Sequence, residues 1–283
     1  MKLTVLNTGR FKLDGGAMFG VVPKRMWSKM HPADENNLCT WSMRCLLIEE
    51  GNQKILIDTG IGDKQDDKFR QHFFPHDCYN FDDLLYPLGL NTGDITDVII
   101  THFHFDHVGG AVKKDENDNL IPTFENARYW SNQKHYNWAS SPNPREAASF
   151  LKENFNPLLD HGVLHFLDTV NGIDFNEFIK ISFVYGHTEA MMIPYITLPS
   201  GNIIVYGADL LASHHHIGLP YVMSYDVRPL ETMKEKESLL STCAEGHYFV
   251  FYEHDNDLAL SSIHKNEQGR FKFGETADLQ ELI

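Results

Sequence analysis

The stretch Ile100-Thr101-His102-Phe103-His104-Phe105-Asp106-His107-Val108-Gly109-Gly110 constrains this chain more than any other. It gathers three imidazoles and a carboxylate within six residues, directly after the β-branched run Val98-Ile99-Ile100. Imidazole nitrogens and carboxylate oxygens are the usual ligands of borderline divalent ions, and several must converge within about 2 Å of one point. Residues two apart on an extended segment point to the same side, so His102 and His104 can share an ion. Asp106 and His107 lie beyond a turn and point elsewhere, which makes two neighbouring ions a better reading than one. Gly109 and Gly110 suit a sharp loop after a strand. The competing reading is an exposed polar loop in a chain that holds 16 histidines and 39 acidic residues. Residues farther along the chain decide against it.

Those residues sit at strand ends. Cys45-Leu46-Leu47-Ile48 and Lys54-Ile55-Leu56-Ile57 flank Glu50-Gly51-Asn52-Gln53, a hairpin signal, and the second strand runs into Asp58-Thr59-Gly60. A carboxylate at the end of a buried strand is costly unless hydrogen-bonded, so Asp58 is expected to anchor a ligand loop. The strand Ile181-Ser182-Phe183-Val184-Tyr185 delivers Gly186-His187-Thr188. A second hairpin, Tyr195 to Leu198 and Ile203 to Tyr206, ends in Gly207-Ala208-Asp209, echoing the first and suggesting two related halves. Tyr248 to Tyr252 reads as a buried strand with Glu253-His254-Asp255 at its end. The sum is five histidines and two aspartates of ligand type.

The remaining chain predicts an opening strand over residues 2–6, a glycine-rich loop carrying Met18 and Phe19 that folds over something, and a surface insertion with some helix over 63–80. It also predicts a helix over 145–154, from the spacing of Ala147, Ala148 and Leu151, and an amphipathic helix over 231–246. Nothing reads as an interdomain linker, so one domain over 1–283 is expected. A charge of −15 argues against nucleic acid as a partner. No stretch approaches a membrane span and the amino terminus lacks a signal-peptide run, so no membrane partner and a cytoplasmic location are expected. Cys39, Cys45, Cys78 and Cys243 form no Cys-x-x-Cys pair and read as reduced thiols.

The His-x-His-x-Asp-His motif, with Asp58-Thr59-Gly60 before it and Gly186-His187-Thr188, Asp209 and His254 after it in that order, resembles the metallo-β-lactamase superfamily. The resemblance implies an α/β fold, a four-layer αββα sandwich with the site at an edge where strands end. It also implies two divalent metal ions, zinc first, with manganese, iron or cobalt as alternatives. By that similarity His102, His104 and His187 would hold one ion, Asp106, His107 and His254 the other, and Asp209 would bridge them. Such a pair shares a water, lowers its pKa toward neutrality and yields a hydroxide that attacks an ester-like carbonyl. Asp106 would orient it or pass its proton to the leaving group.

Within the superfamily, residues 13–20 and Ala208-Asp209-Leu210-Leu211 with His214-His215-His216 look similar to the N-acyl homoserine lactone lactonases and the methyl parathion hydrolase group. The expected substrate is a small-molecule lactone such as an N-acyl homoserine lactone (quorum quenching), with a phosphotriester or other small ester as the alternative and a homodimer as a candidate assembly. Some lactonases assist the carbonyl with a tyrosine three positions after the bridging Asp. Here that position is Ala212, so His214, His215, Tyr221 and Tyr225 are the candidates, His215 and Tyr225 foremost. Met18, Phe19, Trp27, Phe103, Phe105 and Met223 are candidate walls for an acyl chain. A di-iron redox protein is the remote reading, because such relatives usually have Glu where this chain has His104.

Overall fold

A computed structural model describes residues 1–283. The chain forms two compact units, one made of residues 1–11 and 42–169, the other of residues 12–41 and 170–283. The chain leaves the first unit along strand β1 (Lys2–Asp14) and returns along β2 (Leu38–Glu50).

The first unit continues with β3 (Gln53–Ile57), β4 (Asp97–Ile99), β5 (Val112–Lys114), β6 (Leu120–Pro122), β7 (Arg128–Asn132) and β8 (Leu164–Leu167). Six of these make a sheet in the order β1-β2-β3-β4-β7-β8, and β5 pairs with β6. The expected hairpin is present, with Leu46 opposite Ile57. Its turn needs a positive φ, which Gly51 supplies at 56° without steric cost. β3 then pairs in parallel with β4, Ile57 opposite Ile99. Ile55, Leu56 and Ile57 are all fully buried, as a continuous apolar run in a parallel pair predicts. Leu47, Val98, Phe103, Tyr129 and Phe155 belong to one core cluster, in which the Phe103 and Phe155 rings stack at 4.9 Å. Phe103 is therefore a core residue of this unit, and its expected place in an acyl-chain wall is not the one it takes.

The second unit carries β9 (Ile173–Asp174), β10 (Ile179–Val184), β11 (Met191–Thr197), β12 (Ile203–Tyr206), β13 (Phe249–Phe251), β14 (Leu260–Lys265) and β15 (Phe271–Phe273), adjacent in sequence order through one sheet. β12 and β13 run parallel, with Tyr206 opposite Phe251. A parallel pair needs a long crossover, and the helix Pro229–Gly246 lies within it. That helix starts with proline, where a missing N–H costs nothing, and buries Thr232, Lys236, Leu239, Leu240 and Cys243 along one stripe.

Two expectations give way. Residues 145–154 form turns and a short 3₁₀ segment at Lys152–Asn154, because local hydrogen bonds displace the helical ladder. Asn143 Oδ1 accepts from Arg145 N, the Glu146 carboxylate is held by Trp138 Nε1 and Asn143 Nδ2, and the Ser149 carbonyl accepts from Phe105 N. The glycine-rich segment is not an open loop. Asp14 caps a short helix, Gly15–Phe19, by accepting from Ala17 N at 2.8 Å. A second short helix, Lys24–Trp27, follows, and Met18, Phe19 and Trp27 are buried. All four cysteines are free, with Cys78 alone exposed. No helix is long and apolar enough to cross a membrane.

Candidate metal centre

In the first unit, β4 ends at Ile99, and the chain passes through Ile100 and Thr101 to His102 and His104, then into one helical turn, Phe105–Val108. His102 Nε2 and His104 Nδ1 face each other at 3.0 Å, and all four polar residues of the motif are buried. Asp58 follows the last residue of β3 with φ 57° and accepts from Thr101 N at 2.7 Å, Thr101 Oγ1 at 2.7 Å and His107 Nδ1 at 3.1 Å. The carboxylate thus anchors the ligand loop, as its strand-end position predicts. It also fixes the His107 tautomer, leaving Nε2 without a proton for an electrophile, 3.9 Å from Asp106 Oδ2.

In the second unit three strand ends supply three side chains. His187 follows β10, Asp209 follows β12 and His254 follows β13. Asp209 Oδ2 lies 3.1 Å from His187 Nε2, and its Oδ1 lies 3.1 Å from His254 Nε2, so one carboxylate is divided between two imidazoles. His187 Nδ1 hydrogen-bonds Asp226 Oδ1 at 2.7 Å, which again leaves Nε2 as the nitrogen that could take an ion. Burial works to deprotonate His187, but the Asp209 and Asp226 carboxylates overcome it and raise the pKa to about 10. An ion, which needs a neutral imidazole, supplies the positive charge these carboxylates otherwise draw from a proton.

The other expected residues fall into place unevenly. His215 lies on the 3₁₀ turn His214–Ile217, its ring 3.8 Å from that of His214. Its Nε2 is buried with no hydrogen-bond partner, and burial, then the neighbouring His214, lowers its pKa to about 4. Tyr225 is half-buried beside Asp226. His216 is structural: Nε2 donates to the Met18 carbonyl, Nδ1 pairs with Ser213 Oγ, and the ring stacks on Phe19 at 5.0 Å. His214 is committed to Asp255 at 2.5 Å. Sequence reasoning missed Asp226, and it missed His135, a buried imidazole whose Nε2 accepts from Phe103 N between two of the motif histidines. Neither stands in a local pattern that marks it.

The donor set fits divalent metal ions. Within each unit imidazole nitrogens and carboxylate oxygens converge, and in each unit an outer carboxylate holds a histidine by the nitrogen that would not bind.

Comparisons with known proteins agree. The family model of the metallo-beta-lactamase superfamily matches residues 44–192. No curated protein sequence matches the chain significantly. Among solved structures, a probable metal-dependent hydrolase from Staphylococcus aureus superposes with a TM-score of 0.86 at 26% identity, covering 98% of both chains. AidC, a dizinc quorum-quenching lactonase in complex with a product, N-hexanoyl-L-homoserine, matches with a TM-score of 0.78 at 19% identity, covering 98% of this chain and 95% of that one. The hydrolase AbOPH matches with the same TM-score at 18% identity and the same coverage. The fold is the metallo-β-lactamase fold, mixed α/β with multiple sheets, and the chain belongs to the metallo-β-lactamase superfamily as a metal-dependent hydrolase.

Proposed function

We propose that the protein is a dinuclear metal-dependent lactonase that opens small lactones of the N-acyl homoserine type. His102, His104 and His187 would hold one ion, Asp106, His107 and His254 would hold the other, and Asp209 would serve both. The observation that carries the reading is the Asp209 carboxylate, whose two oxygens each face a different imidazole at 3.1 Å. A residue placed this way suits two neighbouring ions better than one.

When bound, two divalent ions supply an acidic water and positive charge for the developing oxyanion. The residues of the chain do the rest. Asp106 takes the proton of the attacking water and returns it to the ring oxygen as the acyl C–O bond breaks, which yields the hydroxy acid. His215, neutral at pH 7, and Tyr225 are the candidates to donate a hydrogen bond to the lactone carbonyl, the role Ala212 cannot fill.

The lactone reading is supported by the apolar side chains packed around the Gly15–Phe19 helix. Phe19 stacks between Trp27 at 5.3 Å and His216 at 5.0 Å, and Ser224 N ties the Met223–Asp226 turn to the Ala17 carbonyl at 2.7 Å. Asp226 in that turn holds His187, so Met18, Phe19 and Met223 pack in a body continuous with a ligand's own support. These side chains are buried, so they make an apolar backing to that support, which suits an alkyl-bearing substrate better than a charged one.

The test is a panel of N-hexanoyl homoserine lactone, an organophosphate triester, a thioester and a β-lactam, on protein loaded with zinc, manganese, iron or cobalt. The lactone should show a kcat/KM at least about 100-fold above the others. Faster triester turnover, or no ring opening with any of the metals, would overturn the substrate assignment.

A further inference from the structure

The Pro229–Gly246 helix carries two adjacent side chains of opposite charge, each spent on backbone groups of a different segment. The Glu235 carboxylate accepts from Tyr185 N at 2.6 Å and Gly186 N at 2.9 Å, the two amides directly before His187. Gly186 is required there, since a Cβ would lie 2.3 Å from Thr232 N of the same helix. Lys236 is fully buried and donates to the carbonyls of His216 at 3.1 Å, Gly218 at 3.1 Å and Tyr221 at 2.8 Å.

The Lys236 arrangement is costly in isolation. A buried ammonium is expensive, and a methionine would fill the same space without that cost. What the ammonium provides is a set of three N–H donors, matched by three carbonyls of a segment that belongs to no strand. That segment is no ordinary connection. It starts beside His215, stacks His216 on Phe19, and runs on to Met223 and to Asp226, which orients His187. Glu235 is its counterpart: an acceptor for two N–H groups at a turn that must present an imidazole at a set angle.

We propose that Glu235 and Lys236 are positioning residues with separate duties. Glu235 sets the turn that presents His187 to a metal ion, and Lys236 sets the His216–Tyr221 segment against which the apolar part of the substrate lies. The second duty rests on the lactonase reading above; the first rests only on metal binding.

The experiment is a crossed measurement on Glu235→Gln and Lys236→Met in the full chain. Zinc affinity is read by chelator competition, KM and kcat for N-hexanoyl homoserine lactone are read at saturating zinc, and amide hydrogen exchange is followed over residues 214–226. Glu235→Gln puts an amide donor against a backbone N–H and should weaken zinc binding by about 10–100-fold, with KM nearly unchanged. Lys236→Met should leave zinc affinity nearly unchanged, raise exchange over 214–226 and raise KM by about tenfold. The rise should be smaller for γ-butyrolactone, which has no chain to position. Two variants that shift zinc affinity and KM together, or a Lys236→Met protein whose exchange over 214–226 matches wild type, would overturn the proposal. If wild type opens no lactone the substrate reading fails, while zinc affinity and exchange still decide the two duties. Should Lys236→Met not fold, Lys236→Gln, which keeps two donors, replaces it.

Discussion

The two units build their ligands with the same device and use its acid differently. In each, an antiparallel hairpin is followed by a parallel strand, β2-β3-β4 in one and β11-β12-β13 in the other. In each, the parallel strand delivers a histidine three residues beyond the residue paired with the hairpin's last: His102 after Ile99, His254 after Phe251. The acids diverge. Asp58 comes one residue after its hairpin, and its oxygens are spent on Thr101 and the back nitrogen of His107. Asp209 comes three residues after Tyr206, past the left-handed Ala208 at φ 41°, and its oxygens meet two Nε2 atoms. Two extra residues past the strand end turn a carboxylate that holds a histidine from behind into one that faces two imidazole Nε2 atoms.

The comparison can be broken most directly at these two acids. Asp209→Ala should lose metal and lactone turnover together, a larger loss than the roughly 10–100-fold in metal affinity that follows removal of an outer partner. Equal damage from Asp58→Asn and Asp209→Ala would erase the distinction.

A finer test compares the outer carboxylates. Asp58→Asn and Asp226→Asn should each weaken one ion by about 10–100-fold and spare the other, read by zinc titration. Asp58→Asn should also lower stability by about 1–3 kcal/mol, because buried Thr101 donors would then face an amide. A denaturant titration checks that second effect.

The pH dependence sharpens the second unit's part. With its pKa at about 10, His187 carries a proton at neutral pH that an ion must displace, so zinc affinity should rise by about tenfold per pH unit between pH 6 and 9. Asp226→Asn removes a carboxylate that favours the proton and should flatten that rise. An identical slope in both proteins would place the displaced proton elsewhere.

The smallest effect lies in His216. Burial lowers its pKa from 6.5 to about 3, so between those values the folded state binds fewer protons than the unfolded state. Stability from this group is therefore intact above pH 6.5 and falls as pH drops toward 3. His216→Gln should lose about 2 kcal/mol less than wild type between pH 7 and pH 5, measured by urea unfolding. A parallel loss in both proteins would show that His216 does not titrate this way.

Strand ends were legible in the sequence because period, hairpin chemistry and the polar residue after an apolar run are all local signals. His102, His187, Asp209 and His254 each follow such a run, and the anchoring role of Asp58 followed from the cost of burying a carboxylate. Asp226 was not legible, because the histidine it holds lies 39 residues away and no local pattern marks that pairing. Glu235 and Lys236 look like ordinary charges of an amphipathic helix, and only the backbone they meet sets them apart. The helix expected over 145–154 failed for the converse reason. Its apolar spacing was real, but Asn143 and Glu146 offered the backbone and side chains better local partners.

The measurement that bears most directly on the central claim is metal content after zinc loading and gel filtration, for wild type and Asp209→Ala side by side. Two ions per chain in wild type and fewer than one in the variant are the predicted result. A single ion in wild type, or two retained without Asp209, would contradict it.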